Sequence, residues 1–367
     1  MKYPQPISCR RLPETIMDML KKFTHSSLML PLTALALLLL FNAIFVDGFF
    51  KIQVMENGNL FGRPIDILYR ASSLIILALG MTFVIATAGV DISVGAVCAI
   101  SAASCCVLLG GDISGVAQHP FFIAILAGLG VGILAGLWNG LLVAKFKIQA
   151  MVATLILLTA GRGIAQLLTD GQIITVYYKP FSYIGGNIPG IPLPTALLIA
   201  VCMVLLVIIL DKKTSIGLMV QSVGINQTAS RYAGINVTLV LFCVYIFSGF
   251  CAGTAGLIEG SFIKAADANN CGLNMEMDAI LAVTLGGTLM IGGRYYIGGT
   301  IIGAITIQTL TTTMYAVGVS SDRLPAVKAI VILLIIVFQS QKFKQMYSNY
   351  KLKRKDRASG QKEAVNA

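Results

Sequence analysis

The feature that most constrains this chain is a series of long apolar segments separated by short polar stretches. A helix that crosses the hydrocarbon of a bilayer needs about 20 residues, and these segments meet or approach that length. Ten can be marked, at residues 28–46, 71–89, 92–110, 120–144, 149–169, 193–210, 237–259, 277–291, 297–317 and 324–341. The pattern predicts an all-α, polytopic transmembrane helix bundle with about ten spans.

The positive charges orient this bundle. Five lysines and arginines precede the first apolar segment and eight follow the last, and an even number of spans places both basic ends on one side. With both termini in the cytoplasm, 19 of the 27 basic residues fall inside and six outside, which agrees with the positive-inside rule. The eighth segment is short and the second and third are nearly continuous. At either place a re-entrant excursion stays an alternative to a full crossing.

Composition supports the same division of the chain. Only 12% of the residues are charged and 56% are hydrophobic, whereas a soluble domain carries about 25% charged residues. We expect a basic amphipathic tail at 1–26, a transmembrane domain at 27–341 with a cytoplasmic segment at 211–236, and a second basic tail at 342–367. The net charge of +11 is concentrated in the tails, which favours membrane anchoring over nucleic-acid binding.

Two further features fit a retained membrane domain. The first apolar segment is not followed by a convincing small-residue cleavage site, which favours a retained span over a cleaved signal peptide. The eight cysteines form no C-x-x-C pair and most lie within apolar runs. We expect them to be small buried hydrophobic residues.

The stretch "ATAGVDISVGAV" interrupts two apolar segments with a carboxylate. Gly89 permits backbone angles that other residues resist, and Asp91 or Ser93 can accept hydrogen bonds from the amides that open the next helix. This predicts a break between helices. Non-helical backbone at membrane depth is tolerated only inside protein or beside a watery cavity, so we expect the break to face a translocation path. The alternative is that Asp91 caps a helix in an ordinary cytoplasmic turn.

A second stretch resembles the first. Gly89 is followed six residues later by Gly95, and Gly293 is followed six residues later by Gly299, each pair lying between two apolar runs. This faint similarity suggests an internal duplication with broken helices, which is common among transporters.

Small and polar residues mark two of the predicted spans. A ridge with a strict spacing of four predicts close helix packing and consists of Gly128, Gly132, Gly136 and Gly140. Beside it, Asn139 either hydrogen-bonds a neighbouring helix or faces the path. Arg162 and Gln166 share a helical face, and charges inside a span are functional candidates. Arg162 is either a counter-ion for Asp91 or Asp278, or part of a polar channel wall.

The cytoplasmic segment holds a short helix with clear ends. Asn226 is a good N-cap after the turn at Gly224, residues 227–233 make about two helical turns, and Gly234 is a natural stop. Gln227, Ala229 and Arg231 belong to this helix. We expect it to receive a docking partner, and the alternative is an inert amphipathic linker.

Three motifs in this order make a specific resemblance: "ATAGVDISVGAVCAI", "QSVGINQTASRYAGINV" and "AVTLGGTLMIGGRYYIGGTIIGA". Over about residues 60–340 the chain resembles the membrane-spanning permease of bacterial monosaccharide ABC importers, which serve ribose, xylose, arabinose and galactose. Within that family, "LFGRPIDILYRASS", "ATLILLTAGRGIAQLLTDGQIITV" and "ADANNCGLNMEMDAILAV" most resemble the galactofuranose importer permease. The departures are serine at position 230, where alanine is common, and tails without obvious counterparts.

The resemblance implies partners and roles. It implies a dimer with a second permease copy or paralogue, a cytoplasmic tandem-cassette ATPase that binds ATP and magnesium, and a periplasmic sugar-binding protein. The helix from Asn226 to Gly234 would be the coupling helix seated in the ATPase, and Asp91 would lie beside the path. Loops 47–70, 170–192 and 260–277 would dock the binding protein. Polar contacts there would come from Asp267, Asn269, Asn270 and Glu276.

The motifs that the chain lacks agree with this role. It has no G-x-x-x-x-G-K-[ST] for ATP phosphates and only two histidines, His25 and His119. We therefore predict no catalytic residues, no metal and no directly bound cofactor, with ATP hydrolysis in a separate subunit. The first rival is an ion-driven secondary transporter in which Asp91, Arg162 and Asp278 form a relay. A membrane enzyme acting on lipid or glycan is the second.

Overall fold

The computed structural model describes residues 29–54, 59–110 and 115–339. The two predicted basic tails lie outside these residues. The chain divides into two compact units, residues 1–309 and 310–367. The described part of the second unit holds the last turns of one helix and the whole of the next.

Helices make up nearly all of the described chain. In chain order they are α1 Met29–Phe45, α2 Arg63–Ala86, α3 Val94–Leu109, α4 Phe121–Gly140, α5 Ala150–Leu168, α6 Lys179–Gly185, α7 Thr195–Lys213, α8 Ile216–Ile225, α9 Gln227–Tyr232, α10 Val237–Ile263, α11 Met275–Leu285, α12 Ile297–Ala316 and α13 Leu324–Gln339. A π-helical turn, Leu141–Lys145, extends α4. Four two-residue strands are β1 Gln53–Val54, β2 Leu60–Phe61, β3 Ile174–Thr175 and β4 Ala265–Ala266.

Five of these helices are long and apolar enough to cross a membrane: α2, α4 with its π turn, α5, α7 and α10. The predicted all-α membrane bundle is therefore confirmed, while the count of ten spans stays a prediction. The predicted eighth span is the clearest difference. It forms α11, whose 11 residues rise only about 16 Å against a hydrocarbon core of about 30 Å.

Helices α2 and α10 are the most enclosed of the five. In α2, 83% of the most apolar window is buried, against 22% in α7, so α2 is surrounded by protein and α7 exposes most of its surface. The predicted ridge Gly128, Gly132, Gly136 and Gly140 of α4 lies mainly against α10. A Cβ on Gly132 would lie 2.6 Å from the carbonyl oxygen of Gly249, so glycine is what lets these two backbones approach.

Backbone hydrogen bonds join the three loops that were predicted to lie outside the membrane. Strand β1 pairs with β2 within the first of these loops. The amide of Leu60 donates to the carbonyl of Pro192 at 3.2 Å, which links the first loop to the second. Strand β3 pairs antiparallel with β4, which links the second to the third. The three loops therefore form one continuous face.

The cysteines follow the prediction only in part. Cys98, Cys105, Cys106, Cys251 and Cys271 are buried, but Cys202 and Cys243 are exposed. For these two the expected burial is wrong, because they lie on outward faces of α7 and α10. In a membrane protein such faces meet lipid, where a cysteine is as acceptable as in a protein core. Cys9 lies outside the described residues.

Candidate translocation and coupling sites

Asp91 lies in the break between α2 and α3 and is 2% exposed. Its Oδ1 accepts hydrogen bonds from the Ser93 amide at 3.1 Å and the Ser93 hydroxyl at 2.6 Å. Asn139 of α4 approaches the same oxygen with its amide nitrogen at 3.4 Å, and the Ser248 hydroxyl of α10 donates to Oδ2 at 2.9 Å. We call these four residues the Asp91 cluster. They tie the break to α4 and α10.

The Asp91 cluster explains how a carboxylate is accommodated among apolar helices. Hydrogen bonds to a charged group are worth about 1.5–3 kcal/mol each, and several converge on this one side chain. As predicted, Asp91 accepts from the amide just before the first residue of α3. The expected role of Gly89 is wrong, because the positive φ of the break belongs to Ala88, and the Ser93 side chain caps no amide of α3. In this conformation the carboxylate is buried among protein atoms.

The structure separates Asp91 from Arg162. The amide of Ile92, next to Asp91, donates to the Thr154 hydroxyl of α5 at 3.2 Å. Arg162 lies eight residues further along that helix, a rise of about 12 Å. Pairing of Arg162 with Asp91 is therefore wrong, since the two side chains belong to different levels of the bundle.

Arg162 and Gln166 instead hold the loop that follows β4. An Nη atom of Arg162 donates to the carbonyl oxygens of Cys271 at 2.5 Å and Ala268 at 3.2 Å. Gln166 Nε2 donates to Asn269 Oδ1 at 2.7 Å. Residues predicted for the translocation path, Arg162 and Gln166, therefore contact a loop that was predicted to dock the binding protein.

The loop itself is organised by Asp267. Its carboxylate accepts from the amides of Asn269 and Asn270 at 3.0 and 3.1 Å, and from the Asn270 side chain at 2.7 Å. Burial opposes ionisation of this carboxyl group, but these hydrogen bonds together lower its pKa below the ordinary value. We call Arg162, Gln166, Asp267, Asn269 and Asn270 the Arg162 cluster. Asn269, Asn270 and Gln166 are exposed and offer amide groups to a ligand.

The two acidic residues of α11 have different surroundings. Glu276 is 6% exposed and its carboxylate lies against Gly95 of α3. The expectation that it offers a docking contact is therefore wrong, because α11 turns this residue inward onto α3. Asp278 lies one helical half-turn further on, also in the first turn of α11, and is half-buried.

The predicted coupling segment forms α9. Asn226 caps it, with its Oδ1 accepting from the Ala229 amide at 3.0 Å. Gly234 follows the helix with a φ of 84°, and its amide donates to Arg231 at 3.0 Å. On the surface, Tyr232 is 90% exposed and Ile225 is 72% exposed. Two large apolar side chains thus flank a short, well-capped helix.

Beneath α9 lies a junction of three backbones. A Cβ on Gly224, in the last turn of α8, would collide with the carbonyl oxygen of Ala86 in α2. The Gly293 amide, in the loop between α11 and α12, donates to that same oxygen at 2.8 Å. Gly292 packs on Ala88 of the break, and both residues have positive φ. We call these five residues the glycine junction. It connects the coupling segment directly to the break that holds Asp91.

A second contact reinforces the same connection. The Tyr295 hydroxyl, in the loop between α11 and α12, donates to Asp211 of α7 at 2.5 Å. Burial and this hydrogen bond raise the pKa of the Tyr295 phenol above its ordinary value, so the phenol keeps its proton. The loop is therefore tied to α7 as well as to α2 and α8.

Sequence reasoning missed several of these residues. Ala86, Ala88, Gly292 and Tyr295 lie in quoted motifs, but their pairing across about 200 residues leaves no local pattern. Helix α8 was also missed, and the turn predicted at Gly224 is wrong because Gly224 lies in the last turn of that helix. A usable signal was the dipeptide Gly292–Gly293, because adjacent glycines indicate backbone angles that other residues resist.

Comparison with known proteins decides the family. The family described as "Branched-chain amino acid transport system / permease component" matches residues 63–339. The chain belongs to this family. The match includes both clusters, α9 and the glycine junction, while α1 lies outside it.

Three relatives cover most of the chain. The galactofuranose transporter permease protein YtfT of Escherichia coli (strain K12) is 44% identical over 90% of this chain and 95% of its own length. The fructose import permease protein FruF of Bifidobacterium longum (strain NCC 2705) is 36% identical over 92% and 94%. The ribose import permease protein RbsC of Bacillus subtilis (strain 168) is 37% identical over 73% and 81%. No solved structure matches.

Proposed function

We propose that this chain is the permease subunit of an ATP-driven ABC importer that carries a monosaccharide, with galactofuranose as the first candidate, across the bacterial inner membrane. The observation that carries the proposal is the 44% identity to a galactofuranose transporter permease over 95% of that protein. Fructose and ribose import permeases support the broader sugar class. The chain itself is not an enzyme, and ATP would be hydrolysed with magnesium in a separate tandem-cassette ATPase.

Helix α9 supports the coupling part of the proposal. Exposed apolar patches mark contact surfaces. Exposed Tyr232 ends this helix, and exposed Ile225 lies two residues before its first residue. Because Asn226 satisfies the helix amino terminus from within the chain, α9 is preformed for its partner. We assign the ATPase as that partner, with Gln227, Ala229 and Arg231 in the contact.

The glycine junction supports the transmission part. Movement of α9 would carry the end of α8, and Gly224 leaves no space between α8 and the backbone of Ala86. Packed elements with such contacts change between discrete arrangements and do not deform continuously. A displacement at the ATPase would therefore reach the break at Asp91 and switch the bundle between outward-open and inward-open states.

The opposite end of the molecule supports the sugar-receiving part. The three loops of the continuous face would dock a periplasmic sugar-binding protein. Gln166, Asn269 and Asn270 would meet the released sugar, because amides donate to and accept from hydroxyl groups. A second copy or a paralogue would complete the path as a dimer.

Transport by the assembled complex tests the proposal. The permease, its ATPase and its sugar-binding protein are reconstituted in vesicles, and uptake of labelled galactofuranose, ribose and fructose is measured. We expect uptake of one sugar that requires ATP. Uptake by vesicles that hold the permease alone and an ion gradient would contradict the proposal and favour the secondary transporter.

A surface substitution tests the coupling helix. Tyr232→Ala removes an exposed side chain that contributes little to folding, so we expect unchanged folded yield and a loss of most sugar-stimulated ATP hydrolysis. Tyr315→Ala is the matched control, because Tyr315 is 54% exposed but outside α9. Equal hydrolysis in both variants would refute α9 as the ATPase contact.

A further inference from the structure

An apolar groove opens between α8 and α10 on the side of the molecule away from the Arg162 cluster. Its volume is about 420 Å³, and Phe83 of α2 contributes to its wall. The other lining residues are Ile133, Leu210, Ile216, Met219, Val220, Leu239, Val240, Cys243, Val244, Ile246, Phe247 and Phe250. The lining surface is almost wholly apolar.

The chemistry of the groove excludes a sugar. A buried hydroxyl without a hydrogen-bond partner costs several kcal/mol, and this lining supplies almost no partners. Empty apolar space is also costly, since a lining without neighbours loses its dispersion contacts. An apolar cavity of about 150 Å³ accepts benzene, so this groove accepts a larger hydrocarbon. In a bilayer the hydrocarbon at hand is the acyl chain of a lipid.

Two lysines follow the lining residue Leu210 in the last turn of α7. Helix α7 ends at Lys212 and Lys213, just beyond Leu210 of the lining, and both lysines are exposed. The nearby carboxylate of Asp211 accepts from the Tyr295 hydroxyl, so it is directed at the phenol. Lysines at a membrane surface attract anionic head groups with about 1 kcal/mol each. The predicted topology places this end in the cytoplasmic leaflet.

We propose that the groove binds an acyl chain of an anionic phospholipid whose head group rests on Lys212 and Lys213. The lipid would fill the space between α8 and α10. Since α8 lines the groove with Ile216, Met219 and Val220 and ends beside the glycine junction, the bound lipid braces the helix that carries the coupling segment. This inference does not depend on which sugar is carried.

Lipid retention by the purified full-length chain tests the proposal. Native mass spectrometry in detergent, with added phosphatidylglycerol or phosphatidylcholine, measures how much of each lipid stays bound. We expect preferential retention of phosphatidylglycerol. The double variant Lys212→Gln/Lys213→Gln should weaken it about ten- to thirtyfold, while Lys145→Gln/Lys147→Gln, another basic pair predicted to be cytoplasmic, should leave it unchanged.

A pair of cysteine substitutions tests the acyl chain. Cys243→Trp fills the groove from its open side and should abolish retention, whereas Cys202→Trp places the same bulk on an exposed position of α7 outside the lining. A measurement on the unaltered chain avoids any doubt about folding. Phosphatidylglycerol should slow maleimide modification of Cys243 and leave that of Cys202 unchanged, with both sites located by mass spectrometry.

Four outcomes would overturn the proposal. They are equal retention of the two lipids, retention that survives Cys243→Trp, equal effects of the two lysine pairs, and equal protection of the two thiols. Conversion of a dimer to a monomer by Cys243→Trp, without lipid loss, would instead assign the groove to a second protein copy.

Discussion

The glycine junction and the Arg162 cluster lie at opposite ends of the bundle and are built on opposite principles. At the junction, backbones touch through glycine, and Gly224 leaves no space beside Ala86. At the cluster, the long side chains of half-buried Arg162 and exposed Gln166 reach across to backbone carbonyls and to Asn269. The first arrangement resists any added atom, whereas the second is held by hydrogen bonds that water or a ligand can replace.

This difference suits the two tasks proposed for these sites. A junction between the ATPase and the translocation path must transmit displacement. Close backbone packing suits this, because no side chain lies between the backbones to absorb the movement by rotating. A face that receives a solute must exchange partners, and exposed hydrogen bonds are worth only about 0.5–1.5 kcal/mol net. We therefore expect the largest effect at Gly224 of the junction and the smallest at Gln166 of the cluster, with Arg162 between them because its donor is charged.

The largest expected effect comes from Gly224→Ala. One added methyl group would collide with the Ala86 carbonyl, and overpacking costs about 1–3 kcal/mol. We expect a destabilisation near 3 kcal/mol, measured by unfolding in detergent, and a loss of at least nine-tenths of the transport. Gly130→Ala is the control, because nothing lies within 4 Å of the added carbon. Equal stability and equal transport in the two variants would contradict the contrast between the glycine junction and the Arg162 cluster.

An intermediate effect is expected from Arg162→Ala. The loop carbonyls of Ala268 and Cys271 would lose a charged donor, at about 1.5–3 kcal/mol. Hydrogen exchange of residues 267–274 should rise while that of the Asp91 break stays unchanged. As a control, Arg70→Ala removes an exposed arginine whose ion pair with Asp66 is worth about 0–1 kcal/mol. Faster hydrogen exchange at the Asp91 break would contradict this prediction and show that the Arg162 cluster and the Asp91 cluster are coupled.

The smallest effect is expected from Gln166→Ala. The lost hydrogen bond to Asn269 is exposed, so the stability of the chain should change by less than about 1 kcal/mol. If this amide meets the sugar, the KM of uptake rises a few-fold while the unfolding midpoint stays the same. Thr159→Ala on the same helix serves as control, since its hydroxyl bonds only carbonyls of its own helix among the described residues. An equal KM in both variants would remove Gln166 from the sugar path.

Much of the helical architecture could be predicted from the sequence. The predicted span 237–259 begins where α10 begins, and 297–317 ends one residue beyond α12, because hydrophobicity sets which residues enter lipid. The cap at Asn226 could also be predicted, since N-cap chemistry depends only on the following three residues.

The contacts at the candidate sites could be predicted less well from the sequence. Glu276 was expected in a docking loop but lies on Gly95, and Arg162 holds loop carbonyls and not the Asp91 carboxylate. Both outcomes depend on which faces of α11 and α5 point into the bundle. Tertiary packing sets that orientation, and a single sequence carries little information about it.

The exposed surface around α9 also matters for the chain before it assembles with other subunits. Tyr232 and Ile225 are exposed although the capped helix is already formed, so the surface is finished before any partner arrives. In the proposed complex, a chain made in excess of its ATPase would expose these two apolar side chains to water. Balanced synthesis of the permease and its proposed ATPase would limit aggregation through this surface.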